Sequence, residues 1–192
     1  MLNNRNEFPQ LLKDMGLTGW IVEVGVNRGD NALHYVNAGC FRRMFLVDTW
    51  YPVNGWKPGM LGEFIDMESN PTYMQSANDD YINTCARFCT SPRVVVMRLE
   101  SMIAARMFAP DSLDFVYLDA SHYEEDVDND LVVWGSKVKP GGIFAGHDYN
   151  IKEVGMVAES IHKFASAHPK VNIQFTQDKP QQSWWFVKPN NL

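Results

Sequence analysis

The sequence has few cysteines, fewer cationic than acidic side chains, and no long apolar run. Its three cysteines, Cys40, Cys85 and Cys89, are an odd number without zinc-site spacing, which indicates free thiols. The 17 lysines and arginines against 23 acids give a net charge of −6, which is unfavourable for a protein that binds nucleic acid. No run approaches the roughly 18 apolar residues of a membrane span, and the N-terminus lacks the apolar core of a signal peptide. We therefore expect a cytoplasmic protein that acts on a small molecule and binds neither nucleic acid nor membrane.

The remaining composition is that of an ordinary globular domain. Hydrophobic residues make up 45% and charged residues 21% of the 192 positions, enough for one well-packed core. We expect a single domain over 1–192, with a helical extension over 1–19 in which Phe8, Leu11, Leu12 and Met15 recur at helical spacing. From Trp20 onward, strand and helix patterns alternate five times before a closing hairpin, which predicts an α/β fold with a mostly parallel sheet.

The most informative stretch is the turn that follows the first predicted strand. The strand Ile21–Val24 is followed by Gly25 and Gly29, which bracket a turn containing Val26 and Asn27. Asp30 and Asn31 then open a helix. A strand, a glycine turn and a helix N-terminus form a nucleotide or nucleoside site. The glycines of a dinucleotide motif are missing, which disfavours a nicotinamide oxidoreductase.

Acidic residues stand at or near the ends of this strand and the next. Glu23 precedes Gly25 by two positions and suits a ligand that carries an amine. Asp48 ends the second strand, about 20 residues after the turn, where a carboxylate can accept both ribose hydroxyls. The alternative for Asp48 is a solvated acid at a strand end.

Later strands carry further polar ends. The third strand, around Val94–Val96, leads to Glu100 and Ser101, and Ser101 can also be explained as a helix N-cap. The fourth strand ends at Asp119, and a helix from Glu124 has Val127, Leu131, Trp134 and Val138 as its buried stripe. Pro140-Gly141-Gly142 is expected to break that helix before a fifth strand, 143–146. The last helix is expected to begin with a capping box of Asn150 and Glu153.

Three motifs together resemble class I S-adenosylmethionine-dependent methyltransferases. They are the glycine turn read as Glu-x-Gly-x-x-x-Gly, the run from Leu118 to Glu124, and Lys139-Pro-Gly-Gly followed by Ala145-Gly-His-Asp-Tyr149. The last two are similar to a bacterial small-molecule branch that includes sugar O-methyltransferases. The resemblance implies a three-layer Rossmann-like fold whose seven-stranded sheet has the order 3-2-1-4-5-7-6 with one antiparallel strand.

The resemblance also implies which residues bind S-adenosylmethionine. The expected cofactor residues lie at the carboxyl ends of four strands: Glu23, Gly25, Val26, Asn27, Gly29, Asn31, Asp48, Thr49, Glu100, Ser101 and Asp119. In this reading the acids bind the amine and the ribose, and the end of the third strand reaches the adenine.

Four residues are candidates for the chemistry: Asp119, His122, His147 and Asp148. Metal-dependent relatives bind their ion through an acid after strand four and two acids after strand five. Here Asp119 and Asp148 match two of these positions, whereas His147 departs from the pattern, so the set suits Mn²⁺, Fe²⁺ or Zn²⁺ better than Mg²⁺. The alternative is a metal-free reaction in which His122 or His147 is the general base.

The expected activity is methyl transfer to a small hydroxylated acceptor, such as a sugar or a glycosylated metabolite. Aromatic residues are candidates for the acceptor wall: Trp50, Tyr51, Trp56, Tyr123 and Tyr149. Three of them belong to a long loop at 50–70, which we interpret as a lid or substrate loop. That loop and the leading helix could instead pack on a homodimer partner. A non-catalytic S-adenosylmethionine-binding module is the second functional hypothesis.

Overall fold

A computed structural model of the chain describes residues 2–51, 71–150, 156–179 and 181–190, together with the backbone of residues 55–56 and 64–65. The helices are α1 (Phe8–Asp14), α2 (Asp30–Ala38), α3 (Pro71–Phe88), α4 (Ser101–Ala105), α5 (Glu124–Gly135) and α6 (Val157–Ala167), and a 3₁₀ helix at Arg5–Glu7 precedes α1. The strands are β1 (Trp20–Val24), β2 (Arg43–Asp48), β3 (Gly55–Trp56), β4 (Phe64–Ile65), β5 (Val94–Arg98), β6 (Leu113–Leu118), β7 (Val138–Gly146), β8 (Gln174–Phe175) and β9 (Trp184–Val187). None of the described helices is both long enough and apolar enough to cross a bilayer.

Seven strands form the main sheet in the order β5-β2-β1-β6-β7-β9-β8. Counted along the chain within this sheet, the order is 3-2-1-4-5-7-6. Strands β5, β2, β1, β6 and β7 pair in parallel, and β9 pairs antiparallel with both β7 and β8. The predicted fold, including its single antiparallel strand, is confirmed.

The N-terminal helix is part of the core. Phe8 and Leu12 are fully buried, and the Phe8 ring lies 5.6 Å from Phe115, 5.8 Å from Tyr117 and 6.3 Å from Trp185. Burial of two large side chains of this kind stabilises the fold by about 2 kcal/mol each. Through Phe8 and Leu12, α1 therefore packs on the sheet, and the possible homodimer stays a prediction.

The end of α5 and the start of β7 were predicted wrongly. Val138 begins β7 instead of extending the α5 stripe, and Pro140-Gly141-Gly142 lies inside that strand. The pairing of β7 with β6 shifts between Leu113 and Phe115, so extra β7 residues are accommodated in a bulge, with Gly141 at a φ of +80°. A bulge lets a proline and two glycines sit within a strand, which a period-based reading of a helix cannot anticipate.

Two other local predictions need correction. Helix α6 begins at Val157 after an N-cap at Met156, so Asn150 does not cap it and instead donates a side-chain hydrogen bond to Gln182; Glu153 lies outside the described residues. In the 50–70 loop, β3 and β4 pair as a short antiparallel ladder that the sequence analysis did not predict. The rest of the predicted lid, 52–54, 57–63 and 66–70, also lies outside the described residues.

Candidate active site

The glycine turn after β1 makes a close approach that only glycine permits. Gly25 has a φ of +83°, and a Cβ there would lie 2.0 Å from the backbone oxygen of Asp119. Gly29, with a φ of +74°, would place a Cβ 2.6 Å from the Phe88 ring. The ends of β1 and β6 are therefore in direct contact, as the convergence of parallel strand ends requires.

Asp48 shapes this turn with its carboxylate. Its Oδ2 accepts hydrogen bonds from the backbone N–H groups of Val26 at 2.7 Å and Asn27 at 2.9 Å, and its Oδ1 accepts one from the N–H of Trp50 at 2.8 Å. These bonds hold Asn27 in the left-handed region, at a φ of 52°. Asp48 thus has a structural role that the sequence analysis did not foresee, and the ribose contact stays a prediction.

Glu23 is a buried acid beneath the turn. It is 2% exposed, and its Oε1 accepts a 3.0 Å hydrogen bond from Nδ2 of Asn31 on α2. Burial raises its pKa to about 8, because an ionised carboxylate is poorly solvated there. Glu23 Oε2 and Asn31 Oδ1 are buried and have no hydrogen-bond partner within the described part of the chain.

Glu100 and Ser101 follow β5, and the helix N-cap expected at Ser101 lies instead at Glu100. The N-cap of α4 is Glu100, which is exposed and makes no side-chain capping bond. The Ser101 hydroxyl donates to Asp130 and accepts from Nε1 of Trp134 at 2.8 Å. Burial raises the pKa of Asp130 to about 6. The N-cap explanation of Ser101 is wrong, and its predicted adenine contact is untested.

Four residues at the ends of β6 and β7 form a continuous polar chain. His122 Nε2 lies 2.8 Å from Asp148 Oδ2, Asp148 Oδ1 lies 2.9 Å from His147 Nδ1, and that nitrogen lies 3.6 Å from Asp119 Oδ1. Asp148 adopts a φ of 58°, and this left-handed backbone follows the end of β7. All four predicted catalytic residues are therefore neighbours.

The protonation states of these polar side chains follow from their contacts. Burial opposes ionisation of Asp148, yet hydrogen bonds from His122 and His147 outweigh it and hold its pKa well below the ordinary value. The same bond to Asp148 raises the pKa of His122. Burial raises the pKa of Asp119, partly offset by the charges of His147 and Arg5. Asp148 is thus ionised near neutral pH and increases the basicity of His122.

Arg5 is a site residue that the sequence analysis missed. Its NH1 donates to Asp119 Oδ2 at 3.0 Å, across 114 positions of the chain. A lone arginine before an amphipathic helix carries no sequence signal for such a contact. Only the packing of α1 on the sheet brings Arg5 to the carboxyl end of β6, where Asp119 lies.

The four candidate acceptor aromatics whose side chains the structure describes differ in burial and in their partners. Trp50 is 3% exposed, its ring centroid lies 5.1 Å from that of Tyr81, and its Nε1 donates to the Asn27 carbonyl at 2.7 Å. This ring is packed inside the protein, and its role as an acceptor wall stays a prediction. Tyr149 is engaged by His162 through a 2.7 Å hydrogen bond. Tyr51 and Tyr123 are 46% and 49% exposed. The Trp56 side chain lies outside the described residues.

A cavity opens between the β6–α5 connection, the end of β7 and α6. Its polar wall consists of Asp119, Ser121, His122, Asp130, His147 and Asp148, and its apolar wall of Leu118, Ala120, Val127, Val157 and Trp184. Because Asp119 also contacts the Gly25 turn, the cavity adjoins the predicted cofactor position.

The cluster of Asp119, His147 and Asp148 is compatible with a metal ion in its donor atoms. One ligand atom from each lies within 4.8 Å of the others, and two carboxylates with an imidazole suit Mn²⁺, Fe²⁺ or Zn²⁺. The surrounding contacts are less favourable, because Arg5 already pairs with Asp119 and both oxygens of Asp148 already accept hydrogen bonds from His122 and His147. A divalent ion would compete with these partners for the two carboxylates.

Comparisons with known proteins agree with this architecture. An O-methyltransferase from Bacillus cereus, solved with SAH, superposes with a TM-score of 0.63 at 13% identity, covering 96% of this chain and 80% of that one. An rRNA methylase from Streptococcus thermophilus gives 0.62 at 8% identity over 95% and 94% of the two chains. Spermidine synthase from Thermotoga maritima gives 0.59 at 12% identity over 95% and 58%.

The structural likenesses alone show only the fold, which carries several chemistries. No curated protein sequence matches the chain. A family model described as a methyltransferase domain matches residues 22–149, which span the glycine turn, β6 and the His147-Asp148 strand end. On this match, the chain belongs to that methyltransferase domain family.

Proposed function

We propose that the protein transfers the methyl group of S-adenosylmethionine to a hydroxyl group of a small acceptor, such as a sugar or glycosylated metabolite. The observation that carries this proposal is the His122–Asp148 pair in the wall of a cavity that adjoins the glycine turn. A hydroxyl acceptor needs a positioned base. The pair supplies one beside the site where the donor is expected.

The donor site in this proposal is the rim formed by the ends of β1, β2, β5 and β6. Glu23 and Asn31 offer oxygen acceptors without protein partners among the described residues, and these suit the donor's ammonium group. Gly25, at which a Cβ would strike the Asp119 backbone, adds no side chain of its own to the turn. When bound, S-adenosylmethionine supplies an electrophilic methyl carbon and a thioether leaving group.

His122 is the base in this mechanism. In the tautomer that donates its Nε2–H to Asp148, Nδ1 carries a lone pair that can accept the acceptor's proton. As the acceptor oxygen forms its bond to the methyl carbon, the carbon–sulfur bond breaks and the hydroxyl proton passes to His122. The Asp148 carboxylate fixes the ring and stabilises the imidazolium that results, as the aspartate of a catalytic triad does for its histidine.

Asp119 and His147 form the other end of this row of four polar residues. His147 is only 8% exposed and bridges the two carboxylates, so it positions Asp148 more readily than it reaches an acceptor. A divalent ion held by Asp119, His147 and Asp148 would supply Lewis-acid chemistry that lowers the pKa of the acceptor hydroxyl. Asp119 already pairs with Arg5, and both oxygens of Asp148 already accept hydrogen bonds from His122 and His147, which favours the base mechanism.

The net charge of −6 supports a small acceptor rather than RNA. Asp130 and the other acids in the cavity wall would repel phosphates and suit hydroxyl groups, which donate hydrogen bonds.

The proposal is tested by supplying tritiated S-adenosylmethionine with a panel of sugars, glycosides and phenols. We expect transfer to at least one hydroxylated acceptor, and a loss of about 100-fold or more in kcat for His122→Asn, which cannot act as a base. His34→Asn is the matched control, because His34 is exposed on α2. Binding of S-adenosylhomocysteine without transfer to any acceptor would instead favour a non-catalytic binding module.

A further inference from the structure

The N-terminal segment is fixed across the sheet edge that carries the site. The backbone carbonyls of Leu2 and Asn3 accept hydrogen bonds from the amides of Gln177 and Asp178, and the fully buried Phe8 anchors the following helix. This segment precedes residues 22–149, the part of the chain that the family model matches. Its contribution to the site is therefore a feature of this chain beyond the matched domain.

Arg5 projects from this anchored segment onto the rim. Its guanidinium donates to Asp119 at 3.0 Å with about a third of the side chain exposed, and the carboxyl group of Glu23 lies close enough to act on its charge. The backbone oxygen of Asp119 is the atom that a Cβ on Gly25 would strike. Arg5 thus stands beside the glycine turn, paired with Asp119 and near Glu23, the acid proposed to face the donor's amine.

The chemistry of the donor requires such a cation. The methionyl end of S-adenosylmethionine carries an ammonium group and a carboxylate, so acids alone would repel half of it. Other described arginines near the turn are committed elsewhere: Arg28 pairs with Asp80, and Arg98 donates to the carbonyls of Thr49 and Trp50. A guanidinium has five N–H groups in a planar fork that matches a carboxylate, and one bond to Asp119 leaves others for a ligand.

We propose that Arg5, placed by the N-terminal segment, binds the α-carboxylate of the methyl donor while it remains paired with Asp119. The inference rests on the proposed function, because it assumes that S-adenosylmethionine is the donor. It assigns a donor-binding role to a residue that the sequence motifs do not include.

The test compares two ligands that differ in the amino-acid part. Calorimetric titration with S-adenosylhomocysteine, which carries the carboxylate, and with 5′-methylthioadenosine, which lacks the whole amino-acid end, is performed on the full chain and on Arg5→Gln. We expect Arg5→Gln to weaken S-adenosylhomocysteine binding by about 10- to 100-fold, the range for a lost charge-assisted hydrogen bond. Binding of 5′-methylthioadenosine should change by less than about 2-fold, within ordinary mutational scatter.

Arg5→Lys and Arg43→Gln complete the design. Lysine keeps the charge without the fork and should recover part of the affinity. Arg43 is exposed at the amino end of β2, away from the turn, so Arg43→Gln should bind both ligands like the unmodified chain. Equal weakening for both ligands would overturn the inference in favour of a structural role, and unchanged S-adenosylhomocysteine binding would overturn it outright. If the unmodified chain binds neither ligand, the proposed donor itself is wrong, and Arg5 then loses its assigned ligand.

Discussion

His122 and Asp148 are joined by a 2.8 Å hydrogen bond between Nε2 and Oδ2, across 26 positions of the chain. The bond links the start of the β6–α5 connection to the end of β7, and it raises the pKa of His122. A base held in this way should reveal itself in the pH dependence of the reaction.

We predict that kcat/KM for methyl transfer rises with pH through the raised pKa of His122 and then levels off, because only the neutral imidazole accepts a proton. In Asp148→Asn the carboxylate is absent, so the pKa of His122 falls and the midpoint of the profile moves to lower pH by about one unit. The plateau should also fall, since the ring is no longer oriented.

Asp14→Asn is the control for that shift, because Asp14 pairs with Gln10 on the exposed face of α1. An unchanged midpoint in Asp148→Asn would contradict the pairing.

The same linkage affects folding: the protonated His122 contributes stability that is complete below about pH 6 and is lost as pH rises through its raised pKa. Asp148, with its lowered pKa, contributes above pH 4 and loses that contribution as pH falls through the folded value.

Gly25 and Gly141 form a matched pair for the glycine turn. Both have a φ near +80°, but a Cβ would meet the Asp119 backbone only at Gly25 and nothing within 4 Å at Gly141. Gly141→Ala should lose about 1–2 kcal/mol of unfolding free energy in urea, the cost of a left-handed alanine. Gly25→Ala should lose more and should fail to bind S-adenosylhomocysteine in calorimetry.

If Gly25→Ala bound S-adenosylhomocysteine normally, the turn after β1 would not be the donor site. A loss of binding in Gly141→Ala as well would show that affinity merely follows stability.

Trp50 and Tyr51 are adjacent in sequence but differ in burial. Trp50 is 3% and Tyr51 46% exposed. Trp50→Ala should cost about 3–5 kcal/mol of unfolding free energy, because it removes a packed ring and a hydrogen bond to the Asn27 carbonyl. Tyr51→Ala should change stability by less than about 0.5 kcal/mol. A stable Trp50→Ala protein with a raised acceptor KM would support the interpretation of Trp50 as an acceptor wall.

The metal alternative has its own measurement. Because Asp119 already pairs with Arg5 and Asp148 already accepts hydrogen bonds from His122 and His147, we expect methyl transfer to persist after dialysis against a chelator and to remain unchanged when Mn²⁺ is added. Loss of activity on chelation, restored by Mn²⁺ in the native chain but not in His147→Ala, would establish the metal mechanism. Calorimetric titration with Mn²⁺ alone measures the affinity independently of activity.

The sequence by itself determined the features that depend on local chemistry. Short β-branched and aromatic runs such as Val94–Val96 and Phe115–Leu118 favour buried strands, and the glycines at 25 and 29 permit positive φ. Because the carboxyl ends of parallel strands lie at one edge of a sheet, the alternation of strands and helices predicted that Asp119, His147 and Asp148 share that edge. The family resemblance added the order of the sheet.

The tertiary structure decided the features that depend on what packs against what. Whether Trp50 faces solvent or the core is set by α3, and whether Val138 continues a helix or starts a strand is set by its pairing with Leu113. Arg5 reaches Asp119 only because Phe8 anchors the N-terminal segment over the sheet. Such long-range contacts leave no periodic pattern in the sequence, since their energy comes from surfaces that meet only in the folded chain.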